Sequence, residues 1–157
     1  MSSIQKIVDP EARSKICSKI LSDLPDWFGR PDATKAYVKA VATMPMFTWE
    51  VGGRQAGFAG LSPATSETFD IHVMGVLRQY HRRGGGRSLL AACEDYSRLS
   101  GAHFLTVQTV GPSAPDPFYD QTRAFYTACG MKALAEFSDH LGLGTPMLLM
   151  GKSLRSA

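Results

Sequence analysis

Apolar residues recur at helical spacing near the start of the chain, with Ile16, Ile20 and Leu24 four apart and Cys17 and Leu21 beside them. That stripe predicts an amphipathic helix over 11–24, closed by Pro25. The stretch LPDWFGRPD is rich in turn formers, and Pro31 suits a first helical position. Tyr37, Val38 and Val41 then carry a second helix that ends before Pro45. In MFTWEVGGRQAGFAGLS two strand-like runs flank Gly52-Gly53, a hairpin pattern. Over 68–77, Phe69, Ile71 and Val73 alternate with Asp70, His72 and Met74, which predicts a half-buried strand. Leu89, Leu90, Cys93, Tyr96 and Leu99 return to helical spacing, with Gly101 as the stop. AHFLTVQTV reads as a strand, VGPSAPDP as a loop and QTRAFYTAC as a short helix ended by Gly130. MKALAEF and PMLLMGKSL close the chain as two strands. The pattern holds no repeat or linker, so the expectation is one mixed α/β (α+β) domain over 1–157.

Composition narrows the class. Of 157 residues, 44% are hydrophobic and 20% charged, the balance of an ordinary soluble globular protein. No apolar run reaches the roughly 20 residues needed to span a bilayer. MSSIQKIVDPEARSK lacks the apolar centre of a signal peptide, so the expected location is cytoplasmic. Cys17, Cys93 and Cys129 are odd in number and widely spaced, which argues for reduced core thiols over disulfides or a metal site. The net charge of +3 is modest, so the basic cluster at 78–87 is a local feature suited to a bound anion.

That cluster surrounds three consecutive glycines in YHRRGGGRSLL. Glycine is a poor helix former, yet Gly84, Gly85 and Gly86 sit where a strand gives way to a helix. A helix start presents unpartnered N–H groups and the positive end of the dipole. Residues without Cβ atoms let a phosphate approach those donors, and Arg82, Arg83 and Arg87 add charge at the rim. A Walker loop would need Gly-Lys-Ser/Thr, and a dinucleotide fingerprint would need GxGxxG; neither is present here. Nucleic acid is disfavoured, because Tyr80 is the one aromatic among the charges. The competing reading is a solvated basic turn.

VLRQYHRRGGGRSLL resembles motif A of the GNAT superfamily of acetyl-CoA-dependent N-acyltransferases, and TRAFYTACGMKAL is similar to the family's second hallmark. The resemblance implies a mixed central sheet with a splayed strand pair, flanked by about four helices. It implies that the coenzyme pyrophosphate rests on the turn formed by His81, Arg82, Arg83, Gly84, Gly85, Gly86, Arg87 and Ser88. It further implies that pantetheine pairs like an added strand with the backbone of Met74, Gly75 and Val76, with Gly75 as the place where the strand distorts. His81 departs from the motif's Gln or Arg. Gly85 replaces a residue that is commonly apolar, which should loosen the turn, and Tyr119 stands where the family often has Asn.

Acetyl transfer needs a neutral amine and a proton for the departing thiolate, while an alkylamine near pKa 10.4 is protonated at neutral pH. By resemblance, Asp70 occupies the place of the family's strand-four carboxylate and Tyr126 that of its general acid. His72 competes with Asp70 as the base, since an ordinary imidazole titrates closer to neutrality than an ordinary carboxylate. Cys93 and Cys129 have no His partner at a recognisable spacing, which favours direct transfer. The resemblance implies an acceptor region on LPDWFGRPD and TVGPSAPDPFYDQ, where Trp27, Phe28, Phe118 and Tyr119 offer an aromatic wall and Asp26, Asp116 and Asp120 offer charge, or equally form a minor hydrophobic cluster and solvated loop charges. The expected activity is acetylation of a primary amine on a small molecule such as an amino acid, polyamine or aminoglycoside-like compound. Protein or aminoacyl-tRNA amines, or coenzyme binding without catalysis, stay open as alternatives. So does a second copy of the chain as a partner. No metal or membrane is expected.

Overall fold

The computed structural model describes residues 1–138 and 144–155. Along them run β1 (Ser2–Ile7), α1 (Pro10–Ser22), α2 (Pro31–Ala40), β2 (Met46–Val51), β3 (Arg54–Thr65), β4 (Thr68–Val76) and α3 (Gly85–Leu99). After them come β5 (Phe104–Val110), α4 (Pro117–Ala128), β6 (Lys132–Phe137) and β7 (Met147–Ser153). Strands and helices interleave as a mixed α/β fold. Two compact units divide the residues: Met1–Ser62 with Ile71–Tyr96, and Pro63–Asp70 with Ser97–Ala157.

In the first unit the strands follow the order β1-β2-β3-β4. Gly52 and Gly53 both have positive φ, 56° and 80°, as the two central residues of a tight hairpin turn require. Val51 and Arg54 pair directly across that turn. Helix α1 starts with Asp9, whose carboxylate accepts the Ala12 N–H at 2.9 Å, and with Pro10 in its first turn. Its inner face places Ile16, Cys17, Ile20 and Leu21 against Val41, Met46, Phe58 and Val73 in the core. A Cβ on Gly75 would stand 3.1 Å from Leu24 and 3.3 Å from Ile20, so the glycine in β4 admits α1 at close range.

The second unit orders its strands β5-β7-β6, all antiparallel. Leu105, Val107, Leu148 and Met150 are buried there with Met131 and Tyr126. Gly130, at φ 91°, ends α4 in the left-handed conformation, and the Lys152 ammonium donates to the Cys129 carbonyl at 2.9 Å.

Several expectations need correction. Strand β1 was not anticipated: only Ile4 and Ile7 are even half-buried in it, so it has no hydrophobic period to read. The supposed loop over 110–117 ends in a helix start, with Pro117 in the first turn of α4 and the Asp116 carboxylate accepting the Phe118 N–H at 2.9 Å. Leu99 is 89% exposed instead of in the core. Cys17 and Cys93 are buried as expected, but Cys129 at the end of α4 is half-buried, as is Phe125.

Candidate active site

The glycine turn lies wholly in the first unit. Arg82 has φ 63°, the one positive value on a non-glycine among the described residues, and Gly84 has φ 85°. The first helical bond of α3 runs from the Ser88 N–H to the Gly84 carbonyl at 3.1 Å. The N–H groups of Gly85, Gly86 and Arg87 therefore precede the helix's internal ladder, which is the geometry that receives an anion. Arg82, Arg83 and Arg87 are exposed around them.

Beneath the turn is an aromatic platform that sequence reasoning missed. A Cβ on Gly85 would overlap Cε3 and Cζ3 of Trp49, which is itself 3% exposed. The Trp49 ring meets Tyr80 edge-on at 6.2 Å, and the guanidiniums of Arg83 and Arg54 stand 5.3 and 5.9 Å from the Tyr80 ring centre. Gly85 therefore packs the turn onto Trp49 instead of loosening it. Trp49 gave no signal in the sequence beyond that of an ordinary strand aromatic.

Arg78 faces elsewhere. Its guanidinium pairs with Asp26 and lies over the Trp27 ring at 5.7 Å, and its backbone N–H donates to the Asp23 carboxylate at 2.9 Å. His81 donates from Nε2 to the Val76 carbonyl at 2.6 Å and meets the Trp27 ring edge-on at 5.7 Å. Carbonyl oxygen only accepts, so this bond sets the imidazole tautomer. The backbone of Met74, Gly75 and Val76 closes β4 directly ahead of this cluster.

His72 on β4 meets Tyr37 edge-on at 5.3 Å, and Tyr37 in turn meets Phe28 at 5.9 Å. Burial lowers the His72 pKa, which favours the neutral imidazole. Trp27, Phe28 and Tyr37 are all half-buried and pack on the α1 core cluster.

In the second unit, Thr106 Oγ1 donates to Asp70 Oδ1 at 2.7 Å. Burial pushes the Asp70 carboxyl up from 3.8 to about 6, with the Thr106 bond acting in the opposite direction. The advantage in basicity that an ordinary His holds over an ordinary Asp is thus largely erased here. Tyr126 on α4 is 6% exposed, and its ring meets Phe125 at 5.3 Å. Tyr119, in the first turn of α4, is half-buried. Asp120 pairs with Arg123, and Asp116 is the cap of α4, so Asp26, Asp116 and Asp120 each have a partner within the chain. Burial pushes the Cys17 and Cys93 thiols up to about 12, which leaves neither as a ready nucleophile. No cluster fit to hold a metal occurs among the described residues, and no helix among them is long and apolar enough to cross a membrane.

The sequence profile of the acetyltransferase (GNAT) family matches residues 12–131. The chain belongs to that family and is an acetyltransferase. Solved structures show the same fold. A GNAT-family protein from Desulfovibrio desulfuricans aligns at 20% identity and TM-score 0.82, over 99% of this chain and all of its own. An aminoglycoside 6'-N-acetyltransferase complexed with coenzyme A aligns at 15% and 0.78, over 99% of this chain and 98% of its own. The ribosomal-protein-S18-alanine N-acetyltransferase of Escherichia coli aligns at 17% and 0.77, over 100% and 96%. Curated protein sequences yield no match.

Proposed function

We propose that this acetyltransferase moves an acetyl group directly from acetyl-CoA to a primary amine of a small molecule, with the coenzyme phosphates seated on His81–Ser88. The observation that carries the reading is the first turn of α3, where backbone donors and the exposed Arg82, Arg83 and Arg87 surround Gly84 in its left-handed conformation. Backbone groups of Met74, Gly75 and Val76 pair with the pantetheine arm in the manner of an added strand.

Acetyl-CoA supplies the acetyl group already activated as a thioester. The chain's part is to move protons. Asp70, with a carboxyl near 6, takes one from the acceptor ammonium, directly or through water, and frees the lone pair that attacks the carbonyl carbon. The carbon–sulfur bond breaks as the amide bond forms. The Tyr126 hydroxyl gives its proton to the departing thiolate, and the proton that the nitrogen sheds on becoming an amide restores the phenol through water. His72 is the alternative base, held neutral by burial. Trp27, Phe28 and Tyr119 are the aromatic side chains offered to the acceptor. The aromatic character of the Phe28–Tyr37–His72 row and the internal pairing of Asp26, Asp116 and Asp120 favour a monoamine with an apolar body over a polycation.

The test is acetyl-CoA consumption across an amine library, with mass analysis of the products. Turnover of small apolar monoamines supports the reading. Turnover confined to peptide N-termini or aminoacyl-tRNA, or coenzyme binding with no turnover at all, would replace it.

A further inference from the structure

We infer that His81 is a positioning residue: its ring bond to the Val76 carbonyl holds Arg82 in the left-handed conformation that aims the turn's N–H groups outward. The inference rests on the turn being the coenzyme phosphate site. Arg82 pays for an unusual backbone state, because a left-handed residue with a Cβ crowds its own carbonyl. Such a state persists only where the surroundings over-determine it.

The surroundings here are specific. Residues 76–81 form a closed loop, pinned by the 2.6 Å bond from His81 Nε2 to the Val76 carbonyl. Inside that loop the Arg78–Tyr80 turn is tied by the His81 N–H to the Arg78 carbonyl at 3.2 Å and the Tyr80 N–H to the Leu77 carbonyl at 2.9 Å. Trp27 holds the edge of the imidazole, and Arg78 fixes Trp27 and Asp26 in turn. On the far side, Gly85 is seated on Trp49. Arg82 is suspended between two anchored ends, with its own side chain exposed. His81 thus acts through backbone geometry, and no contact of its ring with the coenzyme is needed.

A binding cycle tests this. Coenzyme A affinity is measured by calorimetry for His81→Leu, His81→Gln, Arg82→Gly and the His81→Leu/Arg82→Gly double variant, with thermal melts as a control on folding. His81→Leu should weaken binding roughly tenfold, the scale of one left-handed penalty. It should raise KM for acetyl-CoA and leave kcat and the acceptor KM nearly unchanged. His81→Gln, which keeps a donor at similar reach, should stay within about twofold of the parent. With glycine at 82 the left-handed state is free of that penalty, so adding His81→Leu there should cost less than about twofold.

An equal cost of His81→Leu in both backgrounds would overturn the inference, as would a glutamine variant as weak as leucine. Gly84→Val separates the two levels, with Arg87→Glu in its place should the valine variant fail to fold. Loss of affinity there with His81→Leu silent removes the role of His81 alone. If neither variant changes affinity, the phosphate site itself is refuted together with the inference.

Discussion

Thr106 Oγ1 donates a 2.7 Å hydrogen bond to Oδ1 of Asp70, and burial nonetheless pushes that carboxyl up to about 6. Desolvation outweighs the single hydroxyl donor. Activity should accordingly fall as pH drops through about 6, and Asp70→Asn should remove that limb together with most of the turnover. His72→Gln should leave the limb in place. A pH–rate profile of the three proteins checks this, and an Asp70→Asn enzyme with parental turnover at every pH would remove Asp70 from the chemistry.

The same shift has a consequence for stability, with a definite sign. The folded protein holds the Asp70 proton to about pH 6, whereas the unfolded chain releases it near 3.8. As pH rises between those values the unfolded state loses its proton first, so stability falls across that window and the penalty stays constant above it. Asn accepts the Thr106 hydroxyl without a charge to desolvate. Asp70→Asn should therefore stabilise the protein at pH 8 by no more than about 3 kcal/mol, and the gain should vanish below about pH 4. Denaturant unfolding at both pH values measures it; equal gains at the two would contradict a charge origin.

Tyr37 shields His72, whose pKa burial lowers. Tyr37→Ala should admit water and move the imidazole back up toward its ordinary value near 6.5. An NMR titration of the His72 ring reads this directly. No change in the alanine variant would mean that other groups exclude the water.

Tyr126→Phe should preserve coenzyme affinity and lower kcat on the order of 10²-fold, the usual share of a positioned acid. Steady-state kinetics with the amine substrate, beside a binding titration, separates the two parameters. Full activity would dismiss the phenol as the proton source.

Gly85→Ala should cost about 1–3 kcal/mol, because the added methyl group meets the face of a buried indole. Displacing Trp49 also disturbs Tyr80 and Arg83, so coenzyme affinity should fall along with stability. Chemical denaturation and calorimetry on one sample test both effects. A variant of parental stability would show that the Trp49 ring has room to move aside.

What could be read before the fold was known follows the physics of each signal. Ile16, Ile20 and Leu21 repeat because one helix face is buried, and Gly52-Gly53 stands out because few residues tolerate that turn. Strand β1 carries no comparable mark, being an edge whose side chains mostly meet water. At the site, Gly84 and the arginines were visible as local sequence. Trp49 beneath Gly85, Thr106 beside Asp70 and Tyr37 against His72 were not, since each pair joins distant stretches through packing that no short-range pattern encodes. The partners of Asp26, Asp116 and Asp120 were equally hidden: the charges were evident, and Arg78, the Phe118 N–H and Arg123 beside them were not.

The pairing of β5 with β7 also orders events in time. Its innermost rung joins Val110 to Met147, and the Gly111 N–H reaches the Pro146 carbonyl at 2.9 Å, so α4 and β6 lie inside the loop this ladder closes. The hairpin of β2 and β3, by contrast, closes over two glycines. Loop closure is costlier in entropy for the long span, and such contacts form late. During synthesis the β2–β3 hairpin can form as soon as it emerges, while β5 gains its β7 partner only after α4 and β6 have been made.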